Sequence, residues 1–128
     1  IDNDYAAQAS GAIKSLDNHD IVIIHVEAPD EAGHSGSAEN KKSSIEMIDH
    51  EIISRLLSLK GEPIRILVMP DHPTPLTLQT HTEEPVPFVI WGNGIASNGA
   101  RRFTEAEAKS TGIFIENGYN IMDKLVQK

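Results

Sequence analysis

The chain has 128 residues, of which 39% are hydrophobic and 23% charged, as expected of one globular domain with a single core. Its formal net charge of −8 disfavours nucleic acid and anionic membranes as partners but is compatible with metal cations. Because the sequence has no cysteine, it excludes disulfides and thiolate metal sites, and it suits a reducing cytoplasm. No apolar run approaches the ~20 residues that span a bilayer, and the first residues do not resemble a signal peptide.

The first part of the chain predicts a helix and then a strand. Hydrophobic spacing predicts the helix over residues 4–16, with one of residues 2–4 as its N-cap. Residues 21–24 are consecutive and β-branched, which predicts a strand buried on both faces. Residues 29–36 then predict a loop of carboxylates, glycines and histidines. Open α/β sheets place their chemistry in such loops, beyond the carboxyl ends of the strands.

The longest predicted helix follows this loop. Isoleucines and leucines over residues 45–59 form one apolar stripe at helical spacing. Ser37 is the expected N-cap, and Gly61 is the glycine expected just past the C-terminus.

Two further strands are predicted over residues 64–69 and 86–91, and two short helices are expected to begin at Thr104 and Asn120. Strands that alternate with helices predict a mostly parallel sheet covered by helices. Three strands make a thin sheet for an open α/β fold. We therefore expect residues 1–128 to be part of a larger domain.

Two Asp–His pairs follow the first two predicted strands. Asp30 and His34 lie four residues apart, Asp71 and His72 are neighbours whose side chains diverge unless the loop twists, and His81 follows in a third polar segment. Carboxylates and imidazoles suit Zn²⁺, Mn²⁺ or a similar divalent ion, and two ions about 3.5–4 Å apart can clamp the oxygens in phosphoryl transfer. Taken singly, each histidine is better explained as a solvated loop residue. Their positions after apolar strands favour metal binding, either at neighbouring ions or at one ion reached from two sides.

Other polar residues near these loops carry weaker expectations. His25, Glu27 and Glu31 flank the first loop and are candidates to orient metal ligands, although a satisfied, partly buried histidine explains His25 better. Lys41 and Lys42 open the long helix, where a solvated face is a better explanation than contact with phosphate.

Three motifs, in this order, resemble one known family: HVEAPDEAGHSG over residues 25–36, PDHPTPL over 70–76 and THTEEPVPF over 80–88. They are similar to the C-terminal portion of the archaeal-type, cofactor-independent phosphoglycerate mutases of the alkaline phosphatase superfamily. The similarity covers nearly the whole chain. It implies a partial alkaline-phosphatase-like fold, a three-layer α/β/α sandwich with a mostly parallel sheet.

The resemblance also implies the ligands of two divalent metal ions. Asp30, His34 and His81 match the ligands of one ion, and Asp71 and His72 match two ligands of the second. The implied metals are Mn²⁺ or Zn²⁺, with Mg²⁺ and Co²⁺ as alternatives. In the family an aspartate near the N-terminus and a nucleophilic serine or threonine complete the second ion, and neither motif occurs here. The hydroxyls that this sequence offers lie outside the nucleophile's family context: Ser10, Ser35, Ser43, Ser44, Thr74 and Thr77.

The resemblance implies a cytoplasmic parent enzyme that interconverts 3-phosphoglycerate and 2-phosphoglycerate through a phosphorylated serine or threonine. We expect that this chain contains no catalytic residue and has no activity alone. Its substrate-binding residues are not assigned. Ser37 and Pro73 depart from residues common in the family, which predicts tuning of metal binding. The alternatives are a metal-dependent phosphatase, another phosphomutase or a non-catalytic metal-binding scaffold. A sheet without its neighbouring strands also predicts self-association or marginal stability.

Overall fold

The computed structural model describes residues 4–126, which form two compact units. The first unit contains the residues up to Lys60 together with Thr74–Thr82, and the second contains Gly61–Pro73 and the residues from Glu83 onward. The caps predicted at residues 2 and 3 lie outside the described residues. Within residues 4–126, no helix has the length and apolar character needed to cross a bilayer.

The first unit begins with α1, over Tyr5–Ser15, which confirms the helix predicted from hydrophobic spacing. Asp4 is its N-cap, and the carboxylate accepts a 2.9 Å hydrogen bond from the backbone N–H three residues later. Tyr5 and Ala9 form the small core of this unit together with Ile52.

Residues 21–26 form neither a helix nor a strand, and they belong to no β-ladder within the described part of the chain. Ile24 packs against the core, whereas Ile23 is 82% exposed and Ile21 is 46% exposed. The prediction of a strand buried on both faces is therefore wrong, because only one face lies on the helices and no described strand pairs with its backbone. The prediction of a partly buried His25 is wrong for the same reason, since its side chain is 66% exposed.

The loop predicted after this segment is wrong in its first part, where the chain forms a helix, α2, over Ala28–His34. Pro29 stands in the first turn. Its missing N–H costs nothing there, because the first amides of a helix have no partner within the helix. Asp30 and Glu31 lie in the same turn, where carboxylates interact favourably with the helix dipole. Pro29 therefore excludes a strand, as predicted, but it stands at the start of a helix and not in a loop.

The longest predicted helix forms as three consecutive segments. These are α3 over Ala38–Met47, a π-helical segment over Ile48–Ile53, and α4 over Ser54–Leu57. Ser37 is confirmed as the N-cap, and its Oγ accepts a 3.3 Å hydrogen bond from a backbone N–H of the first turn. Gly61 has φ +103°, but it is not the glycine that ends the helix, because α4 ends at Leu57 with Ser58 as its C-cap.

The π-helical segment interrupts the predicted apolar stripe. A π turn contains more residues than an α turn, so it rotates the side chains on one side of it relative to those on the other. Ile52, inside the segment, is 3% exposed, and Leu56 packs against the same core. Ile45, which precedes the segment on the predicted stripe, is 52% exposed. Ile48, Ile52 and Leu56 therefore pack at the core, whereas Ile45 does not.

The second unit contains a two-stranded sheet. Strand β1 over Arg65–Val68 pairs with β2 over Val89–Gly92, with Ile66 opposite Trp91. Both strands occur where the sequence predicts them, and β2 begins only after Pro87, which has no N–H to donate to a ladder. The pair runs antiparallel. The α/β content is as expected, but these two strands do not form the predicted parallel sheet.

The second unit ends with short helical segments. Helix α5 spans Glu105–Ser110, and a 3₁₀ turn over Gly118–Asn120 leads directly into α6 over Ile121–Val126. Thr104 caps α5 as predicted, since its Oγ1 accepts a 3.2 Å hydrogen bond from the Glu107 N–H. The Glu107 carboxylate accepts from a backbone N–H six residues upstream, which is not the reciprocal bond of a capping box.

Candidate metal centre

Three of the predicted metal ligands lie together in the first unit. Asp30 and His34 come from α2, and His81 comes from the segment Thr74–Thr82. The Nε2 atoms of the two histidines are 3.1 Å apart. Asp30 Oδ2 lies 3.4 Å from His34 Nε2, and Asp30 Oδ1 lies 3.4 Å from His81 Nε2. One carboxylate and two ring nitrogens therefore converge; we call these three residues the ligand cluster.

Helix α2 explains why the first two ligands meet. Residues four apart on a helix share a face, so the Asp30 and His34 side chains point the same way. A loop would not ensure this arrangement. The same four-residue spacing, read from sequence without the helix, is only a weak signal.

A hydrogen bond to the backbone sets the tautomer of His34. Its Nδ1 lies 2.9 Å from the carbonyl oxygen of Gln79. A carbonyl only accepts hydrogen bonds, so Nδ1 carries the proton and Nε2 of the neutral ring presents its lone pair to the ligand cluster. Metal-binding histidines are commonly oriented in this way.

Gln79 itself has an unusual backbone. Its φ is +54°, in the left-handed region, and its N–H donates a 2.8 Å hydrogen bond to the Pro75 carbonyl. A non-glycine residue in this region costs about 1–2 kcal/mol. The turn that presents a carbonyl to His34 is thus held in a strained conformation, as is common at functional sites.

Two glycines let α2 approach the segment Thr74–Thr82 closely. A Cβ on Gly33 would lie 2.8 Å from both the carbonyl oxygen and Cγ2 of Thr74. Gly36 has φ +69°, and a Cβ there would contact the side-chain amide of Gln79. These glycines flank His34 in sequence. Close packing at Gly33 and the left-handed backbone at Gly36 therefore explain the glycines on either side of His34.

Two residues that sequence reasoning did not place at the site support the ligand cluster. Thr74 is 5% exposed, and its Oγ1 donates a 2.5 Å hydrogen bond to Asp30 Oδ1. Lys41 Nζ donates a 2.7 Å hydrogen bond to the Thr74 carbonyl oxygen. The interpretation of Lys41 as part of a solvated face is wrong. No local signal distinguishes it from Lys42, whose side chain is 76% exposed.

The second Asp–His pair lies in the second unit. His72 Nε2 is 3.3 Å from Asp71 Oδ2, and the His72 N–H donates a 3.1 Å hydrogen bond to Asp71 Oδ1. The loop therefore turns these neighbouring side chains towards each other. The pair presents one imidazole and one carboxylate, with the His72 side chain 29% exposed and that of Asp71 67% exposed.

The weaker candidates lie at the surface. His25 Nδ1 is 4.0 Å from Glu27 Oε1, and both side chains are about two-thirds exposed. Glu31 is exposed in the first turn of α2. The Glu27 backbone carbonyl accepts a 2.9 Å hydrogen bond from the Asp30 N–H. Within residues 4–126, none of the three side chains forms a hydrogen bond or ion pair with the ligand cluster. The role of these three residues in orienting metal ligands stays a prediction.

The donor set of the ligand cluster fits a divalent metal ion. Two imidazole nitrogens and a carboxylate are ligands that Zn²⁺ and Mn²⁺ accept. The Nε2 lone pair of His34 already faces the other two groups. Asp30, His34 and His81 would hold such an ion.

A family model described as the Metalloenzyme superfamily matches residues 2–127, so the chain belongs to this superfamily. With the Asp–His ligand cluster, this membership supports binding of a divalent metal. The chain is 40% identical to a probable 2,3-bisphosphoglycerate-independent phosphoglycerate mutase of Geobacter sulfurreducens, over 100% of this chain and 33% of the relative. It is also 40% identical to a 2,3-bisphosphoglycerate-independent phosphoglycerate mutase of Methanosarcina acetivorans, over 99% of this chain and 33% of that relative.

These matches confirm the family predicted from the three motifs. The chain spans about a third of the length of these curated relatives and corresponds to their C-terminal portion. A solved structure of a protein from Pyrococcus horikoshii has the same fold, with a TM-score of 0.83 and 29% identity. That comparison covers 95% of this chain and 37% of the solved one.

Proposed function

We propose that this chain is the metal-binding part of a cofactor-independent phosphoglycerate mutase that interconverts 3-phosphoglycerate and 2-phosphoglycerate. The observation that carries the proposal is the convergence of Asp30, His34 and His81. The whole chain aligns with about a third of a relative named as such a mutase. The phosphoryl group would pass through a phosphorylated serine or threonine that residues outside this chain supply.

The proposed cofactors are two divalent ions, Mn²⁺ or Zn²⁺, with Mg²⁺ or Co²⁺ as alternatives. The ligand cluster would hold one ion, and Asp71 and His72 would contribute to the second. When bound, such ions activate a hydroxyl nucleophile and neutralise charge on a transferring phosphoryl group. With a net charge of −8, this chain disfavours an anionic substrate unless bound cations reverse the local field.

In the longer protein, residues 21–26 would become a strand of a mostly parallel sheet within a three-layer α/β/α sandwich. The segment already alternates between core-facing and exposed side chains, and the named relatives are about three times as long as this chain. Amide hydrogen exchange tests the proposal. We expect fast exchange at residues 21–26 in this chain and slow exchange in the longer protein.

The proposed location is the cytoplasm, with phosphoglycerate as the ligand of the complete enzyme and neither nucleic acid nor membrane as a partner. Support comes from the cysteine-free composition and the acidic net charge. Electrophoretic mobility assays with nucleic acid and sedimentation with anionic vesicles would each be expected to show no binding.

We also propose that this chain self-associates through the exposed side of residues 21–26. Ile23→Lys should reduce the associated fraction in light scattering without loss of stability, because Ile23 is 82% exposed. Ile24→Lys is the matched control. It should lower stability, since Ile24 packs against the core. A wild-type chain that is monomeric at all concentrations would refute the proposal.

A mutase assay with Mn²⁺ tests the function directly. The chain alone should be inactive, and a form extended upstream through the nucleophile should convert 3-phosphoglycerate to 2-phosphoglycerate. In the extended form His34→Ala should abolish activity, whereas His50→Ala, at a side chain that is 80% exposed, should leave it unchanged. Phosphate release without interconversion would favour a metal-dependent phosphatase, and activity on a different phosphorylated substrate would favour another phosphomutase. No activity would favour a non-catalytic scaffold.

A further inference from the structure

Thr74 is held from both its backbone and its side chain. Its carbonyl oxygen accepts a 2.7 Å hydrogen bond from Lys41 Nζ, and its hydroxyl donates a 2.5 Å hydrogen bond to Asp30 Oδ1. Its Cγ2 lies where a Cβ on Gly33 would contact it at 2.8 Å. With 5% exposure, Thr74 has little contact with water that could compete for these bonds.

These contacts limit the rotation of the Asp30 carboxylate. Oδ2 faces His34 Nε2 and Oδ1 faces His81 Nε2, so a rotation of the carboxylate would change both contacts. The Thr74 hydroxyl donates its hydrogen bond to Oδ1, which distinguishes this oxygen from Oδ2. A hydrogen bond to an ionised carboxylate is roughly twice as strong as one between neutral groups.

We propose that Thr74 and Lys41 are positioning residues for the metal ligand Asp30. The Thr74 hydroxyl orients the carboxylate, and the Lys41 ammonium keeps Thr74 in place by binding its carbonyl. Asp30 is thereby preset for a cation, instead of having to be ordered when the cation binds. This inference rests on the proposed metal site.

The two neighbouring lysines offer a matched comparison. Lys41 reaches Thr74, whereas Lys42 Nζ lies 3.5 Å from Glu46 on the exposed surface of α3. Replacement of either lysine by methionine keeps the aliphatic stem and removes the charge. Only the Lys41 substitution should alter metal binding.

The experiment is a calorimetric titration of this chain with Zn²⁺, together with the visible absorption spectrum of the Co²⁺-loaded chain. Thr74→Val keeps the side-chain shape but removes the hydroxyl, and we expect about 10- to 100-fold weaker Zn²⁺ binding. Thr74→Ser should restore both the affinity and the Co²⁺ spectrum. Lys41→Met should weaken binding by about tenfold, and Lys42→Met should match the wild type.

Circular dichroism of the metal-free variants separates positioning from folding. A folded Thr74→Val chain with wild-type Zn²⁺ affinity and an unchanged Co²⁺ spectrum would overturn the inference. If Thr74→Val does not fold, Lys41→Met decides the question, and unchanged affinity in that variant overturns it.

Asp30→Asn tests the metal site itself. Zn²⁺ binding that is lost in Asp30→Asn but unchanged in both positioning variants would leave the metal site standing and overturn the role of Thr74 and Lys41. A wild-type chain that binds no Zn²⁺ would overturn the metal site and, with it, the inference.

Discussion

The two Asp–His pairs of this protein are built differently. In the first unit Asp30 and His34 lie one helical turn apart, and both side chains also contact residues from the segment Thr74–Thr82. In the second unit Asp71 and His72 are adjacent in a loop and contact each other. A helix and a distant segment therefore orient the first pair, whereas the side chains of the second pair are turned towards each other within one loop.

This difference shows which contacts bring the candidate ligands of a sequence motif together. Both pairs contain the same two residue types after an apolar segment, so the sequence alone does not predict which pair binds a metal more tightly. The first pair has a third candidate ligand beside it, a hydrogen bond that sets the histidine tautomer and a buried hydroxyl on its carboxylate. We therefore expect the ligand cluster to bind metal more tightly than the Asp71–His72 pair.

The largest expected effect is the loss of this binding. His81→Ala leaves the ligand cluster with two protein ligands. We expect the Zn²⁺ affinity of the ligand cluster to fall more than about 100-fold, because losing a residue that only orients a ligand already costs about 10- to 100-fold. Asp71→Asn should leave Zn²⁺ binding at the ligand cluster unchanged and should weaken only the binding of a second ion. Titration calorimetry measures both. Equal losses in the two variants would remove the contrast between the pairs.

The next effect concerns close packing beside the ligand cluster. Gly33→Ala places a methyl group against the backbone and side chain of Thr74, and overpacking of this kind costs about 1–3 kcal/mol in the free energy of unfolding. Gly11→Ala is the control, because a Cβ on Gly11 of α1 meets no atom within 4 Å. It should stabilise the chain by about 0.5–1 kcal/mol. Urea denaturation gives both values, and a Gly33→Ala chain as stable as the wild type would contradict the packing argument.

A smaller effect is expected at Gly36, where the backbone has φ +69°. Gly36→Ala should cost about 1–2 kcal/mol from the left-handed conformation alone, because the Gln79 side chain that it meets is flexible and can move. Gly112→Ala is matched, with φ +70° and no neighbouring atom within 4 Å of its Cβ. Similar losses of unfolding free energy are expected in the two variants. A much larger loss for Gly36→Ala would mean that the Gln79 side chain is held rigidly.

The smallest effect lies away from both pairs and depends on pH. The hydrogen bond from Arg55, and then the one from His50, lowers the pKa of Glu51 below its ordinary value. Since the folded-state pKa is the lower one, the charged Glu51 stabilises the fold above the ordinary glutamate pKa, and this contribution is lost as the pH falls through the folded-state value. Wild type should therefore be slightly more stable than Glu51→Gln at neutral pH, and the difference should shrink in acid. Thermal unfolding at several pH values measures it, and a difference that grows in acid would contradict the sign.

Features that depend on neighbouring residues follow well from the sequence. The caps at Asp4, Ser37 and Thr104 form where the residue types predict them, because a cap is a contact with the backbone three residues away. The segments of β1 and β2 are also where the apolar runs place them. The family, too, follows from three short motifs.

Features that depend on distant partners do not follow from it. Residues 21–26 have the composition of a buried strand but pair with no strand among residues 4–126. The helix at Ala28–His34 contains a proline and a glycine, which locally favour a loop. Thr74 lies 44 positions from Asp30, so no local pattern relates them.

The sequence by itself determined the helix caps, the residue types of the ligands and the family, because each depends on short stretches of chain. Only the tertiary structure decided that Asp30, His34 and His81 converge, that His34 presents Nε2, and that Lys41 rather than Lys42 binds the Thr74 carbonyl. These outcomes require contacts between α2, the first turns of α3 and the segment Thr74–Thr82. The physical reason is that a hydrogen bond or close contact depends on where the chain returns in space, which composition and spacing do not specify.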